Sequence, residues 1–181
     1  MALIVYAHPH PTRSRANRAL LAAVRDLEGV EVRSLYDLYP DFDIDVAAEQ
    51  AALLAHDLIV WQHPLYWYSV PGMLKHWFDK VLARGFAYGG GAQELAGKRC
   101  LWVSTSGGDE EAFSERGFHE HPFSAFVAPV AQTARFCKMH WLEPIAVHGA
   151  HSMSDGALTE HAERYRDRLV ELTRERSEED A

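Results

Sequence analysis

The chain has 181 residues, 48% of them hydrophobic, and a formal net charge of -8. That length supports one substantial core and leaves little for a second domain. The negative balance argues against nucleic acid or an anionic membrane surface as a direct partner, and no apolar run approaches the roughly 20 residues needed to span a bilayer.

Ala2 to Ala7 is a continuous apolar run that reads as a first strand buried on both faces. A helix follows from Ser14, a suitable N-cap, with Ala16, Ala19, Leu20, Ala23, Val24 and Leu27 on one stripe and an end near Gly29. Val30 to Leu35 is the second strand and Val46 to Ala55 the second helix. Leu58 to Gln62 is the third strand. After it Val70, Met73, Leu74, Trp77, Phe78, Val81 and Leu82 recur at helical spacing, with Pro71 placed for a first turn and Gly85 beyond the end. Arg99 to Ser104 reads as the fourth strand. A helix over Phe123 to Lys138 follows, with a break or kink expected at Pro129. Ile145 to His148 is the fifth strand and Ala157 to Thr173 the last helix. Strands alternating with helices imply an α/β fold with a doubly wound parallel sheet and helices on both faces. Residues 1–173 are read as one domain and 174–181 as a charged tail, solvated and expected to be disordered. Cys100 and Cys137 fall in a predicted strand and a predicted helix, which suits buried thiols of a reducing compartment, so the expected location is cytoplasmic.

Three strand-to-loop junctions carry the chemistry, and in a parallel sheet such junctions meet at one edge. The first holds His8, Ser14, Arg15, Ala16 and Asn17, where a helix N-terminus offers unpaired N–H groups to a phosphate. The plainer alternative is that Ser14 only caps the helix. The second is Leu65-Tyr66-Trp67-Tyr68, three consecutive aromatics able to wall a flat ring or to serve core and subunit contacts. The third is Thr105-Ser106-Gly107-Gly108, whose glycines are expected to adopt backbone conformations closed to other residues, so that amides reach the electron-rich edge of a ring. Together the three loops suggest a flavin cradle. The His119/His121 and His148/His151 pairs lack the spacing and third ligand of a zinc site, so no metal is expected. Asp109, Glu110, Glu111, Glu115 and Glu120 form either a solvated face or a docking surface for a basic segment.

The chain resembles the flavodoxin-like NAD(P)H:quinone reductases, and within them the ancillary proteins of glutathione-gated potassium-efflux systems, the KefF and KefG group. The likeness rests on Tyr6-Ala7-His8-Pro9, Ser14 with Ala16-Asn17, Leu38-Tyr39-Pro40-Asp41-Phe42 with Ile44-Asp45, Trp61-Gln62-His63-Pro64-Leu65, Leu74-Lys75 with Asp79-Lys80-Val81, and His140-Trp141-Leu142. It implies a flavodoxin-like five-stranded sheet in the order 2-1-3-4-5. It implies FMN rather than FAD, held by His8, Ser14 to Asn17, Leu65 to Tyr68 and Thr105 to Gly108. The implied reaction passes a hydride from NAD(P)H to the flavin and then two electrons to a quinone or related electrophile, in a homodimer with sites at the subunit boundary. The resemblance also implies a second role, binding and activating a potassium-efflux transporter at its cytoplasmic face, peripheral to the inner membrane. A one-electron flavodoxin-type carrier is the third reading. Related reductases place a Tyr and a His after the third loop, and their counterparts here are Phe113 and His119. His119 is thus the candidate proton donor, with a plain surface histidine as the alternative, and the phenol is absent.

Overall fold

Strands that are apolar on both faces need cover on both sides, and the chain supplies it from helices on either side of one sheet. The computed structural model describes residues 1–91 and 93–179, with side chains to Arg174. Its elements are β1 (Ala2–Tyr6), α1 (Arg15–Val24), β2 (Val30–Ser34), α2 (Leu35–Leu38), α3 (Val46–Ala55), β3 (Leu58–Pro64), α4 (Gly72–Val81), β4 (Arg99–Thr105), α5 (Phe123–Phe136), β5 (His140–Trp141), β6 (Ile145–Val147) and α6 (Asp155–Glu179). The sheet is parallel throughout, in the order β2-β1-β3-β4-β5, with β6 also paired to β4. That is the expected 2-1-3-4-5 order. The fifth strand comes in two pieces because Pro144, which has no N–H to offer a ladder, interrupts it.

Alternation sorts the strand residues onto two faces. Leu3, Val5, Ile59, Trp61, Cys100 and Trp102 face the cluster built with α3, α4 and α5. Ala2, Ile4, Leu58, Val60, Leu101 and Val103 face Leu20 and Val24 of α1 and Tyr165, Leu169 and Leu172 of α6. Both predicted thiols are buried and free. Burial pushes Cys137 up to about 11, with Cys100 also raised.

Several predicted boundaries shift. Helix α1 stops at Val24, short of Gly29, which instead takes φ 75° in the turn into β2. Pro71 is the cap before α4 rather than part of its first turn. Helix α5 runs through Pro129 as one element, against the expected break. The carbonyl that loses its partner there belongs to exposed Ala125, where water can satisfy it. Cys137 is the C-cap of α5 rather than a helix residue. The one-turn α2 carried no periodicity to detect. Helix α6 is longer than expected at both ends, and the last two tail residues lie outside the described ones.

Away from the sheet edge, the Tyr39 motif serves a buried carboxylate. Glu49 is 0% exposed, and its Oε1 accepts from Arg33 Nε and Tyr39 OH (both 2.6 Å) while Oε2 accepts from Trp77 Nε1 (2.8 Å). These bonds tie β2, α2, α3 and α4 together, and the contact with Glu49 raises the Arg33 guanidinium against the opposing effect of its own burial. Glu49→Ala would leave Arg33 only its longer ion pair with the exposed Glu31 and would leave two buried donors unpaired. It should lower stability by about 3–5 kcal/mol in urea denaturation, and an unchanged midpoint would remove this carboxylate from the fold's supports.

Candidate functional site

The carboxyl ends of β1, β3 and β4 meet as the parallel register requires, with His63 beside Ser104 and Pro64 beside Thr105. His63 is fully buried. Its Nε2 accepts from Trp102 Nε1 at 2.6 Å and its Nδ1–H donates to the Pro64 carbonyl at 2.9 Å, which fixes the tautomer and the exit of the loop. Desolvation lowers the His63 pKa to about 4, against the weaker opposing effect of the Pro64 carbonyl.

Beyond Leu65 the chain reverses in four residues. Tyr66 and Ser69 exchange both backbone hydrogen bonds (3.1 and 3.0 Å), and Trp67 and Tyr68 take φ 49° and 63° between them. Two left-handed residues suit a tight primed turn, but this conformation favours glycine, so aromatics here store about 1 kcal/mol or more of strain each. The turn holds Trp67 at 92% exposure, while Tyr68 stacks on Phe126 and meets His119 edge-on.

In the first loop the Ser14 side chain caps α1 by accepting from Asn17 N at 3.2 Å. Asn17 Nδ2 donates to Thr105 Oγ1 at 2.7 Å, and Gln62 Nε2 donates to the Asn17 carbonyl. Asn17 is nearly fully buried, yet its Oδ1 has no partner among the described residues. His8 Nδ1 accepts from His10 N, and its pKa is lowered by burial and then by neighbouring His10. Arg15 turns its guanidinium to the Met153 carbonyl and to Asp155.

In the third loop Ser106 Oγ donates to the Gly108 carbonyl and contacts His148 Nδ1 at 2.8 Å. The expected role of the glycines needs correcting, because neither Gly107 nor Gly108 has positive φ. They are small for another reason. A Cβ on Gly107 would lie 2.9 Å from His151 Cδ2, and one on Gly108 would lie 2.9 Å from His119 Nε2. Phe113 is buried and stacks on His119 at 4.4 Å between centroids. His119 N donates to the Ala112 carbonyl, and its Nδ1 is buried without a partner among the described residues.

Two cavities lie along this edge. One, of about 430 Å³, is lined by His8, Ser14, Arg15, Ala16, Asn17, Leu65, Tyr66, Thr105, Ser106 and Gly107 among the predicted residues. The other, of about 190 Å³, is lined by Leu65, Trp67, Tyr68, Ser106, Gly107, Gly108, Phe113 and His119. Leu65, Ser106 and Gly107 belong to both, so the two cavities adjoin along this edge. Sequence reasoning missed His10, Arg13, Ala150 and His151 on the walls of the larger one. The last two follow the split fifth strand, whose carboxyl end reaches the same edge, and that rule could have found them. No described residue lining the larger cavity is Asp or Glu. An anionic group fits that end, and a flat apolar ring fits the other. Among the described residues, no three His, Cys, Asp or Glu side chains gather as metal ligands.

Residues 1–169 match the family model for the flavodoxin-like fold. A relative from Klebsiella aerogenes, the glutathione-regulated potassium-efflux system ancillary protein KefF, is 52% identical over 171 residues, covering 94% of this chain and 96% of that one. Among solved structures, the general stress protein 14 of Treponema denticola in complex with FMN is 33% identical with a TM-score of 0.85, covering 95% of this chain and 97% of that one. An NADPH-quinone reductase from P. pentosaceus is 31% identical with a TM-score of 0.84, covering 92% and 95%. A chain described as a thermophilic tryptophan halogenase from Streptomycin violaceusniger is 37% identical with a TM-score of 0.89, covering 92% and 97%.

The histidine that fixes the loop exit makes stability depend on pH with a defined sign. Folded His63 resists protonation down to about pH 4, whereas the unfolded chain takes up that proton near 6.5. Its contribution is present in full above pH 6.5 and is lost as pH falls toward 4, on the order of 3 kcal/mol in total. His63→Gln should flatten the fall in urea midpoint between pH 7 and 4, and identical slopes would exclude this assignment.

Proposed function

This chain belongs to the flavodoxin-like NAD(P)H:quinone oxidoreductase family, and from that membership we propose that it is an FMN-dependent NAD(P)H:quinone oxidoreductase working by two-electron, ping-pong hydride transfer. The observation that carries this reading is the pair of adjoining cavities, one with no carboxylate among its described lining residues and the other walled by aromatics. Bound FMN would supply a two-electron acceptor for the hydride of NAD(P)H and a donor to the quinone.

The protein's part is to bind, orient and move protons. The first turn of α1 at Ser14 to Asn17, with Arg13 and His8, would hold the phosphate. Leu65 to Tyr68 would wall the ring, and the backbone from Thr105 to Gly108 would line its polar edge. Tyr68 meets the His119 ring edge-on and Phe113 stacks on it, which would orient the imidazole. His119 sets Nε2 over Gly108, the position from which an imidazole can hold and deliver a proton. Phe113 has no hydroxyl to share that task, so His119 carries it alone.

A homodimer agrees with the surface beside the cleft. Exposed Phe136 contacts Tyr88 at the lip of an apolar groove of about 370 Å³ between α4 and α5, which begins at Ser69 and Val70 of the aromatic loop. No described helix is long and apolar enough to cross a membrane, and a second reading is a regulatory role at the cytoplasmic face of a potassium-efflux transporter. It is favoured by the 52% identity to a protein named for that system. Potassium efflux measured with and without this protein should differ if that role holds, and equal efflux would discard it.

For the enzyme, the purified protein should be yellow and should oxidise NADPH when benzoquinone is present. A colourless protein that cannot be reconstituted with FMN would overturn the reading. His119→Gln should slow the quinone half-reaction by about 10²-fold in stopped-flow experiments while flavin reduction by NADPH changes far less. Equal loss in both halves would remove His119 from proton delivery.

A further inference from the structure

The cleft has a fourth wall that none of the three predicted loops provides. It is the segment between β6 and α6, laid across the third loop by a ladder of backbone bonds. Ser106 N donates to the Val147 carbonyl, Ala150 N to the Ser106 carbonyl and Gly149 N to the Gly108 carbonyl, at 2.9, 2.9 and 2.8 Å. Gly149 turns the chain there with φ 66°. On the far side Arg15, at the start of α1, donates to the Met153 carbonyl at 2.6 Å and pairs with Asp155. The segment is therefore fastened at both ends, and His151 sits between the fastenings.

His151 lies against Gly107, with Cδ2 and Nε2 2.9 and 3.1 Å from where a Cβ would stand. A side chain at 107 would push the ring from that position. No hydrogen bond to another described residue engages the His151 ring, so its N–H is available to a ligand. It faces the same cavity as Arg13, Ser14 and Asn17, and no carboxylate among the described residues lines that cavity to compete for it. A chain of net charge -8 that keeps acids out of one cavity and lines it with an arginine, histidines and a capped helix start has made an anion site.

Resting on the flavin reading above, we propose that His151 donates to the terminal phosphate of the cofactor and so selects the phosphorylated flavin over riboflavin, with Arg15 as the positioning residue that latches its loop. A phosphate contact adds binding only for a ligand that carries the phosphate, whereas a structural role would affect both flavins alike.

The test titrates flavin-free protein with FMN and with riboflavin, following quenching of flavin fluorescence. His151→Ala should raise the Kd for FMN about tenfold and leave that for riboflavin within about twofold, the size expected when one charge-assisted hydrogen bond is lost. Arg15→Ala should move the two constants in the same unequal way, to a smaller degree. Equal weakening of both flavins, or no change in either, would overturn the assignment while leaving the flavin reading intact. If the unaltered protein bound neither flavin, both readings would fall.

Discussion

Thr105 is the residue on which the cleft depends. Its carbonyl accepts from Leu65 N at 2.7 Å and its hydroxyl from Asn17 Nδ2 at 2.7 Å, so one residue at the end of β4 ties the loops after β3 and β1. The tie is backed from beneath, since Gln62 Nε2 donates to the Asn17 carbonyl and Tyr165 OH donates to Gln62 Oε1 at 3.3 Å. Buried polar chains of this kind hold geometry well only when their members are satisfied. Among the described residues, the one atom of this polar chain left without a partner is Asn17 Oδ1.

Charge is distributed against the average of the chain. Acidic residues crowd the segment after Gly108, and at least one has local work, since Asp109 Oδ1 accepts from Ala112 N at 2.9 Å. Buried Glu49 is matched by Arg33, Tyr39 and Trp77 far from the cleft. Placing the carboxylates elsewhere leaves the helix α1 dipole and Arg13 acting together at one spot, while Arg15 beside them is paired with Asp155.

The strands were legible because each is a continuous apolar run, and their order agrees with the pattern that the resemblance implied. The three loops were legible because each follows such a run. Less could be read where function depends on tertiary approach. Gly107 and Gly108 look like turn glycines, and only the positions of His151 and His119 show that they are small to let rings close in. Arg15 reads from the sequence as a cofactor contact, and the structure adds a pairing of its guanidinium with distant Asp155 that no local pattern signals. The Tyr39 motif looked like a family mark, and its partner Glu49 gives it a physical purpose in the core. His63, hidden inside an apparent signature for the cleft, is a neutral strut held by Trp102.

The strained turn at Trp67 and Tyr68 follows from the same construction. Two aromatics with positive φ would relax in a free loop, but here Pro64 is paired into the sheet and Leu65 is bonded to Thr105, while Pro71 and Gly72 open helix α4 on the other side. Too few residues remain between these anchors for a wider turn. The sheet thereby forces the rings outward over the cleft, a placement that the isolated loop would not hold. Rigidity at the strand ends and strain at the turn are thus two results of one register, the pairing of β3 with β4.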